Sequence, residues 1–240
     1  MFISFEGIDG SGKSTQARLL AEALRAEGRE VVLTREPGGS PGAEEIRRLV
    51  LEGDPDRWSA ETEILLFTAA RRDHLEKTIR PALAAGHVVI TDRFADSTRL
   101  YQGLSRGDLR GTVDELHRLM IGIEPDLTLI IDMDPAVGLS RALQRMATHA
   151  EIESLIAEGN ESAEATKRSK ALKEISLVNA NQQLPEDRFE AFGLQFQHTL
   201  REGFLALANE FDDRCVVIEG RRPPHVISDE IANMVRERLR

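Results

Sequence analysis

The chain has 240 residues, with 31 basic and 41 acidic side chains and a formal net charge of −10 at pH 7. This length suits one α/β domain, or one domain with an inserted segment. The acidic balance argues against a nucleic-acid-binding surface, because phosphate backbones require a basic stripe. The single cysteine, Cys215, cannot form an internal disulfide, and no run of about 18 apolar residues is present. We therefore expect a soluble, cytoplasmic protein that spans no membrane and binds no nucleic acid.

Short apolar runs alternate along the chain with longer amphipathic stretches. Strand patterns occur at residues 2–6, 30–34, 87–91, 127–132 and 215–218. Helical patterns occur at residues 13–27, 61–85, 112–122, 135–146, 188–209 and 225–239. Short buried strands separated by helices predict an α/β fold, a five-stranded parallel sheet with helices on both faces. Ligands bind such sheets at the carboxyl ends of the strands.

The first predicted strand leads into a glycine-rich turn. Residues 7–14, G-I-D-G-S-G-K-S, match the phosphate-binding template G-x-x-x-x-G-K-[ST] at every fixed position. In this template Lys13 reaches the β- and γ-phosphates, and the Ser14 hydroxyl binds Mg²⁺. An ordinary glycine-rich turn is the alternative, but the strand–turn–helix context favours a nucleoside triphosphate site. The predicted ATP-binding residues are Gly7, Ile8, Asp9, Gly10, Ser11, Gly12, Lys13, Ser14 and Thr15.

Charged residues follow the first three predicted strands at the carboxyl edge of the sheet. They are Asp9 after the first strand, Arg35 and Glu36 after the second, and Asp92 and Arg93 after the third. An acidic side chain beside polyphosphate is repelled, so we expect Asp9 to orient Mg²⁺ or Arg93; a turn-stabilising role is the alternative. Asp92 ends an apolar run, where a carboxylate can support a metal through water. Ser14 and Asp92 are therefore the predicted Mg²⁺ residues.

The segment from about residue 146 to residue 187 interrupts the alternation of strands and helices. It contains no strand-like run and carries a basic cluster between Lys167 and Lys173. A solvated helical hairpin or loop is one interpretation, and a lid over the phosphates is the other. We expect a single domain over residues 1–240 that includes this enlarged lid. Just before it, Asp132 ends a strand, and we expect it to cap the next helix.

Five motifs, in order, resemble those of the thymidylate kinase family. They are F-I-S-F-E-G-I-D-G-S-G-K-S-T at 2–15, T-R-E-P-G-G-S at 34–40, D-R-F with S-T and Y-Q-G at 92–103, P-D-L-T-L at 125–129 and D-R-F-E at 187–190. The resemblance covers nearly the whole chain apart from roughly residues 147–184. It implies the fold of the P-loop nucleoside monophosphate kinases. It also implies transfer of the γ-phosphoryl group of ATP to dTMP, giving dTDP and ADP for dTTP synthesis, with Mg²⁺ as cofactor.

The resemblance also implies an acceptor site. Arg71 and Arg93 would hold the acceptor phosphate, and a planar guanidinium at Arg93 could bridge donor and acceptor. Glu36 would contact the Mg²⁺ or phosphate region. Phe67 would stack on thymine, for which core packing is the alternative. The residues expected to bind dTMP are Glu36, Phe67, Arg71, Arg93, Ser97, Thr98, Tyr101 and Gln102.

Base recognition is expected, on the same resemblance, between residues 97 and 102. Thr98 and Gln102 would hydrogen-bond the base, and Tyr101 would crowd the 2′ carbon of the sugar. The thymine methyl alone contributes about 1–3 kcal/mol of discrimination against dUMP. Some activity on dUMP is therefore expected.

Members of the family carry a catalytic arginine either in the phosphate loop or in the lid. This loop reads Gly10-Ser11 and has no arginine there, so the resemblance places the arginine in the lid, as in one bacterial type. The candidates are Arg141, Arg145 and Arg188. The predicted catalytic residues are Asp9, Lys13, Arg93 and Arg145.

Other functions remain open from the sequence. A kinase of another acceptor, such as dUMP, UMP or a deoxynucleoside, would use the same loop. A nucleotide-dependent switch is the non-enzymatic alternative, but the sequence has no Asn-Lys-x-Asp guanine signature. The family resemblance implies a homodimer. Apolar residues on one face of the helix predicted at 112–122 would serve such an interface or the core.

Overall fold

The fold is described from a computed structural model of the chain, over residues 1–52, 57–104, 107–145 and 193–240. Five strands in this part form one sheet in the order β2-β3-β1-β4-β5. All four neighbouring pairs are parallel, as predicted. The strands are β1 (Phe2–Glu6), β2 (Val31–Arg35), β3 (Val88–Asp92), β4 (Leu127–Asp132) and β5 (Cys215–Glu219).

The helices connect the strands and cover both faces of the sheet. They are α1 (Lys13–Ala26), α2 (Pro41–Leu51), α3 (Ala60–His74), α4 (Arg80–Ala84), α5 (Ala95–Tyr101), α6 (Arg110–Met120), α7 (135–145), α8 (Gly193–Glu210) and α9 (Pro224–Arg238). A π-helical turn, Leu75–Ile79, joins α3 to α4. The long helix predicted at 61–85 is therefore three consecutive helical pieces.

The sequence pattern did not predict α2 and α5. α2 has Pro41 at its first position, where proline is favoured, but Pro and Gly residues around it look like a loop. All seven residues of α5 are buried. Its polar residues are buried together with its apolar ones, so its sequence shows no amphipathic period and does not read as a helix.

Two layers of apolar side chains hold the helices against the sheet. On one face, Ile3 and Phe5 of β1 pack with Leu20 of α1 and Ile231 of α9. A second cluster on α8 includes Leu200, Phe204 and Leu207, with Ile130 of β4. Every residue of β1 and β3 is buried, which explains why these strands are mainly apolar and show no alternation of apolar and polar residues.

The expected capping role of Asp132 is wrong. The Arg201 guanidinium donates to both oxygens of the Asp132 carboxylate, at 2.6 and 2.8 Å. The helix α7 is capped instead by Asp134, whose Oδ1 accepts from the N–H groups of Ala136 and Val137 at 3.0 and 3.4 Å. A capping side chain must directly precede the first helical turn, and the end of β4 lies too early in the chain.

The predicted lid at about 146–187, its basic cluster and Arg188 lie outside the described residues. The segments that border it are α7 and α8. None of the helices in the described part of the chain combines the length and apolar character needed to cross a bilayer.

Candidate active site

The glycine-rich turn after β1 packs tightly against two other segments. Gly7 and Gly10 have φ angles of 133° and 70°, which favour glycine. A Cβ at Gly7 would lie 2.6 Å from the Ile131 carbonyl oxygen, and one at Gly10 would lie 2.0 Å from that of Gly138. The turn ends at Gly12, the N-cap of α1, which has no side chain to occupy the first N–H groups of the helix. This is the strand–turn–helix arrangement that binds phosphate groups.

Polar groups at the start of α1 meet the end of β3. The Lys13 Nζ donates to the Ile8 carbonyl oxygen at 2.7 Å. The Ser14 hydroxyl donates to Oδ2 of Asp92. Among the described residues, the buried Oδ1 of Asp92 has no hydrogen-bond partner. A hydroxyl and a carboxylate oxygen are ligands that a hard divalent cation prefers, so this pair fits Mg²⁺.

Arg93 connects the phosphate loop to α5. Its backbone is left-handed, with φ 70°, where the chain turns from β3 into α5. The guanidinium donates to the Asp9 carboxylate and to the Gly7 carbonyl oxygen, the latter at 3.3 Å. It also donates to the hydroxyl oxygens of Ser97 at 3.0 Å and Tyr101 at 3.1 Å. One buried cation thus touches both the loop and the helix that faces it.

Asp9 lies at the centre of this cluster. Its Oδ2 accepts from the Tyr101 hydroxyl at 3.0 Å and from Nε2 of Gln197 at 3.1 Å. Burial raises the pKa of the Asp9 carboxyl, but the positive charges of Arg93 and Lys13 outweigh burial and hold it below the usual value. Asp9 is therefore ionised at neutral pH and paired with Arg93, as the first of the two sequence interpretations expected.

A pocket opens beside Arg93, between α3, α5 and the turn after β2. It encloses about 360 Å³, including the part open to solvent. Every residue that the sequence analysis assigned to the acceptor nucleotide lines it. The lining residues are Glu36, Pro37, Leu51, Phe67, Arg71, Arg93, Phe94, Ser97, Thr98, Tyr101 and Gln102.

Arg71 and Glu36 form a buried ion pair in the wall of this pocket. Nε of Arg71 donates to Glu36 at 2.7 Å, and Nη2 donates to the Thr98 hydroxyl at 2.9 Å and the Phe94 carbonyl at 3.1 Å. Burial raises the pKa of the Glu36 carboxyl, but Arg71 and His74 outweigh it, so the pKa is lowered. The Arg71 guanidinium is thus held against Glu36 and against α5.

Three buried polar residues of the site were missed by the sequence analysis. Gln197 contacts Asp9, Glu63 accepts from Nε2 of Gln102 at 3.4 Å, and Nδ1 of His74 lies 2.9 Å from Oε1 of Glu36. None of the three belongs to a recognised motif. The available signal was a polar residue on the apolar side of a helix, since such residues must find polar partners inside the fold.

The described lid arginines lie on α7. This helix contacts the phosphate loop at Gly138, where a Cβ would lie 2.6 Å from the Asp9 carbonyl oxygen. Arg145 follows Gly138 by two helical turns and is exposed on the same side of the helix. Nη1 of Arg141 lies 4.0 Å from the Met133 sulfur.

Comparison with known proteins agrees with this geometry. The family model described as thymidylate kinase matches residues 5–186. A thymidylate kinase from Ruegeria pomeroyi is 59% identical over 239 residues, which cover 100% of this chain and 96% of that protein. One from Dinoroseobacter shibae is 60% identical over 233 residues, covering 97% of this chain and 95% of that protein.

A solved structure extends the likeness to the fold. The crystal structure of thymidylate kinase from Ehrlichia chaffeensis is 32% identical, with a TM-score of 0.67, and the match covers 98% of each chain. The sequence motifs, the parallel sheet, the phosphate loop and these similarities agree. The chain belongs to the thymidylate kinase family.

Proposed function

We propose that this protein transfers the γ-phosphoryl group of ATP to dTMP, giving dTDP and ADP. One observation carries this proposal: Arg93 contacts the phosphate loop through Asp9 and the acceptor pocket through Ser97 and Tyr101. Transfer between two phosphate groups requires cations that neutralise charge on the oxygens between them. Arg93 stands where the two nucleotides would meet.

ATP binds, in this proposal, with its phosphates on the loop of residues 7–15. The N–H groups of the loop and of the α1 N-terminus surround the phosphates. Lys13 exchanges its hydrogen bond to the Ile8 carbonyl for the β- and γ-phosphates.

Mg²⁺ would be held by the Ser14 hydroxyl and, through water, by Asp92. The buried Oδ1 of Asp92, which lacks a hydrogen-bond partner among the described residues, supports this assignment. When bound, the ion supplies positive charge to the β- and γ-phosphates. Asp92 also orients the Ser14 hydroxyl through the hydrogen bond between them.

dTMP occupies the pocket with its phosphate at Arg93. Phe67 supplies an aromatic face for thymine, while Thr98 and Gln102 supply hydrogen-bonding groups. The family resemblance placed Arg71 at the acceptor phosphate. Because Arg71 donates to Thr98 and Glu36, we propose instead that it lies on the base side of the pocket.

Arg145 is the proposed catalytic arginine of the lid. It lies on the same side of α7 as Gly138, which contacts the phosphate loop. A guanidinium reaching the transferred group would stabilise its charge in the transition state. The single kinase domain over 1–240, with its lid at about 146–187, is part of the same proposal.

We further propose that the enzyme works as a cytoplasmic homodimer. The single cysteine, Cys215, is buried and has no second cysteine in the chain to pair with, which suits a reducing compartment. Three apolar side chains of α3 and α6 are exposed, which suits contact with a second copy: Leu65, Leu119 and Met120.

The acceptor is tested by incubating the purified protein with ATP, Mg²⁺ and one of dTMP, dUMP, UMP or thymidine. We expect dTDP and ADP from dTMP, with kcat/KM for dUMP lower by about 10- to 200-fold. A Lys13→Ala variant serves as the inactive control. Phosphorylation of thymidine without phosphorylation of dTMP would contradict the proposal and favour a nucleoside kinase.

A further inference from the structure

The two helices that border residues 146–192 contact the same point of the phosphate loop. On one side, Gly138 of α7 lies against the carbonyl oxygen of Asp9 and against Gly10. On the other side, Gln197 of α8 reaches the backbone and the carboxylate of Asp9. Asp9 is thus the meeting point of the loop with α7 and α8.

The Gln197 amide binds Asp9 in two ways at once. Its Oε1 accepts from the Asp9 N–H at 3.4 Å, and its Nε2 donates to Oδ2 of Asp9 at 3.1 Å. Gln197 is 0% exposed and Asp9 is 2% exposed, so neither group has water as an easy substitute. Only a side chain with both a donor and an acceptor can make this pair of bonds.

The position of Asp9 determines the position of Arg93. Oδ1 of Asp9 accepts from Arg93, while Oδ2 accepts from Tyr101 and Gln197. Lys13, on α1, is a further charged group near Asp9. Because the Gln197 bonds hold both the backbone and the carboxylate of Asp9, they limit the rotation that would move Oδ1 away from the guanidinium.

We propose that Gln197 is a positioning residue for phosphoryl transfer, which acts through Asp9 to hold Arg93 between the two phosphate groups. The inference rests on the proposed function of Arg93. A residue of this kind affects turnover more than substrate binding, because the alignment matters most in the transition state.

Two substitutions test the role of the amide. Gln197→Met keeps the length of the side chain and removes both hydrogen bonds. Gln197→Asn keeps the donor and acceptor, but it is one methylene shorter and cannot reach both Asp9 groups. Gln195 is exposed on the same helix, so Gln195→Met and Gln195→Asn are the matched controls. The measurements are kcat, the KM values for dTMP and ATP, the dTMP Kd from calorimetry, and thermal unfolding.

We expect kcat of both Gln197 variants to fall at least about tenfold below the matched controls. The dTMP Kd and both KM values should change by less than about threefold. A role limited to packing would lower the unfolding temperature and leave kcat of the folded enzyme unchanged. A kcat within about twofold of the controls overturns the inference. If Gln197→Met does not fold, the kcat of Gln197→Asn provides the test.

The wild-type assay distinguishes failure of the proposed function from failure of the role of Gln197. Absence of dTMP phosphorylation by the wild type would overturn the proposed function itself. An active wild type with unaffected Gln197 variants would overturn only the role of Gln197.

Discussion

Arg93 combines an energetically unfavourable backbone conformation with a buried charge. A left-handed conformation costs a residue with a side chain about 1–2 kcal/mol, and Arg93 adopts it with φ 70°. The surrounding hydrogen bonds to Asp9, Ser97 and Tyr101 hold it in place. Such strain concentrates at functional sites. Asp9 also pairs with the buried guanidinium, which offsets the cost of removing that charge from water.

Replacement of Arg145 by alanine tests the lid arginine. We expect kcat to fall at least about a hundredfold, because a guanidinium that stabilises transferring phosphoryl groups contributes roughly 10³–10⁵ in turnover. The dTMP affinity should change little, since Arg145 is expected to act on the transition state. Steady-state kinetics and dTMP titration measure the two effects. Arg141→Ala is the comparison, and a loss of turnover in that variant alone would move the role to Arg141.

The buried Glu6 makes stability depend on pH. Its carboxylate accepts from the Phe94 N–H at 2.7 Å and the Ser97 hydroxyl at 2.6 Å. Burial and the negative charge of Asp96 raise the pKa of Glu6 from 4.5 to about 8. Between these values the folded protein binds more protons than the unfolded chain, so stability falls as pH rises through this window.

Glu6→Gln removes this titration. We expect the variant to unfold at a higher temperature than the wild type at pH 8, because a neutral amide avoids the cost of an ionised buried group. At pH 4.5 the two proteins should differ little, since Glu6 is protonated in the folded protein and its carboxyl is only half ionised in the unfolded chain at that pH. Calorimetry at the two pH values measures the difference, with Glu30→Gln on the surface as control. An equal effect at both pH values would contradict the assignment.

At the scale of elements, the contact between α7 and the phosphate loop is unusually close. A Cβ at Gly138 would lie 2.6 Å from the Asp9 carbonyl oxygen and 3.1 Å from Cδ1 of Ile8. Backbone cannot move aside as easily as the end of a flexible side chain. Overpacking of this kind costs about 1–3 kcal/mol.

Gly138→Ala should therefore displace the loop. We expect the KM for ATP to rise and kcat to fall, each by about tenfold, as the phosphate-binding N–H groups move. The matched control is Gly111→Ala, where a Cβ on α6 meets nothing within 4 Å. Kinetics at varied ATP concentration measure the effect. Identical ATP kinetics in the two variants would show that the loop tolerates the extra methyl group.

The elements that could be predicted are those whose burial leaves a pattern in the sequence. β1 and β3 are buried on both faces and read as apolar runs, and α1 has clear amphipathic spacing. α5 is entirely buried and shows no period, and α2 begins in a segment of turn-forming residues. The spacing of apolar and polar residues reflects which side chains are exposed, not the backbone conformation itself. Both helices were therefore missed.

The residues of the candidate site likewise include some that could be predicted from the sequence and some that could not. Residues in contiguous motifs, such as Lys13 and Arg93, could be assigned because the neighbouring residues of the motif identify the kind of site. Gln197 lies 188 residues from Asp9, and Glu63 lies 39 residues from Gln102. Those contacts exist only after the sheet brings α8 and α3 to its carboxyl edge. Nothing local in the sequence indicates the partner.

At the scale of the whole molecule, α3 and α6 carry exposed apolar side chains. Leu65 and Leu119 are each 59% exposed, and Met120 is 50% exposed. Arg72 lies two turns after Leu65 on α3 and donates to the Met120 carbonyl oxygen at 2.6 Å, so the two helices meet at this surface. Exposed apolar patches on one face are typical of subunit contacts.

We therefore expect the 26.7 kDa chain to elute as a dimer of about 53 kDa, and Leu119→Glu to elute as a monomer. A buried, unpaired carboxylate in the interface would be strongly unfavourable. The control is Val226→Glu, at a residue 40% exposed on α9. Size-exclusion chromatography with light scattering distinguishes the two masses. A monomeric wild type would contradict the homodimer.

The most direct test is a crystal structure of the enzyme with dTMP, Mg²⁺ and a non-hydrolysable ATP analogue. We expect the thymine ring on Phe67, the dTMP phosphate within hydrogen-bond distance of Arg93, and the triphosphate on Lys13 and the loop N–H groups. Both nucleotides should then face each other across the Arg93 guanidinium. A structure with dTMP outside this pocket, or with Arg93 turned away from both phosphate groups, would contradict the proposed reaction.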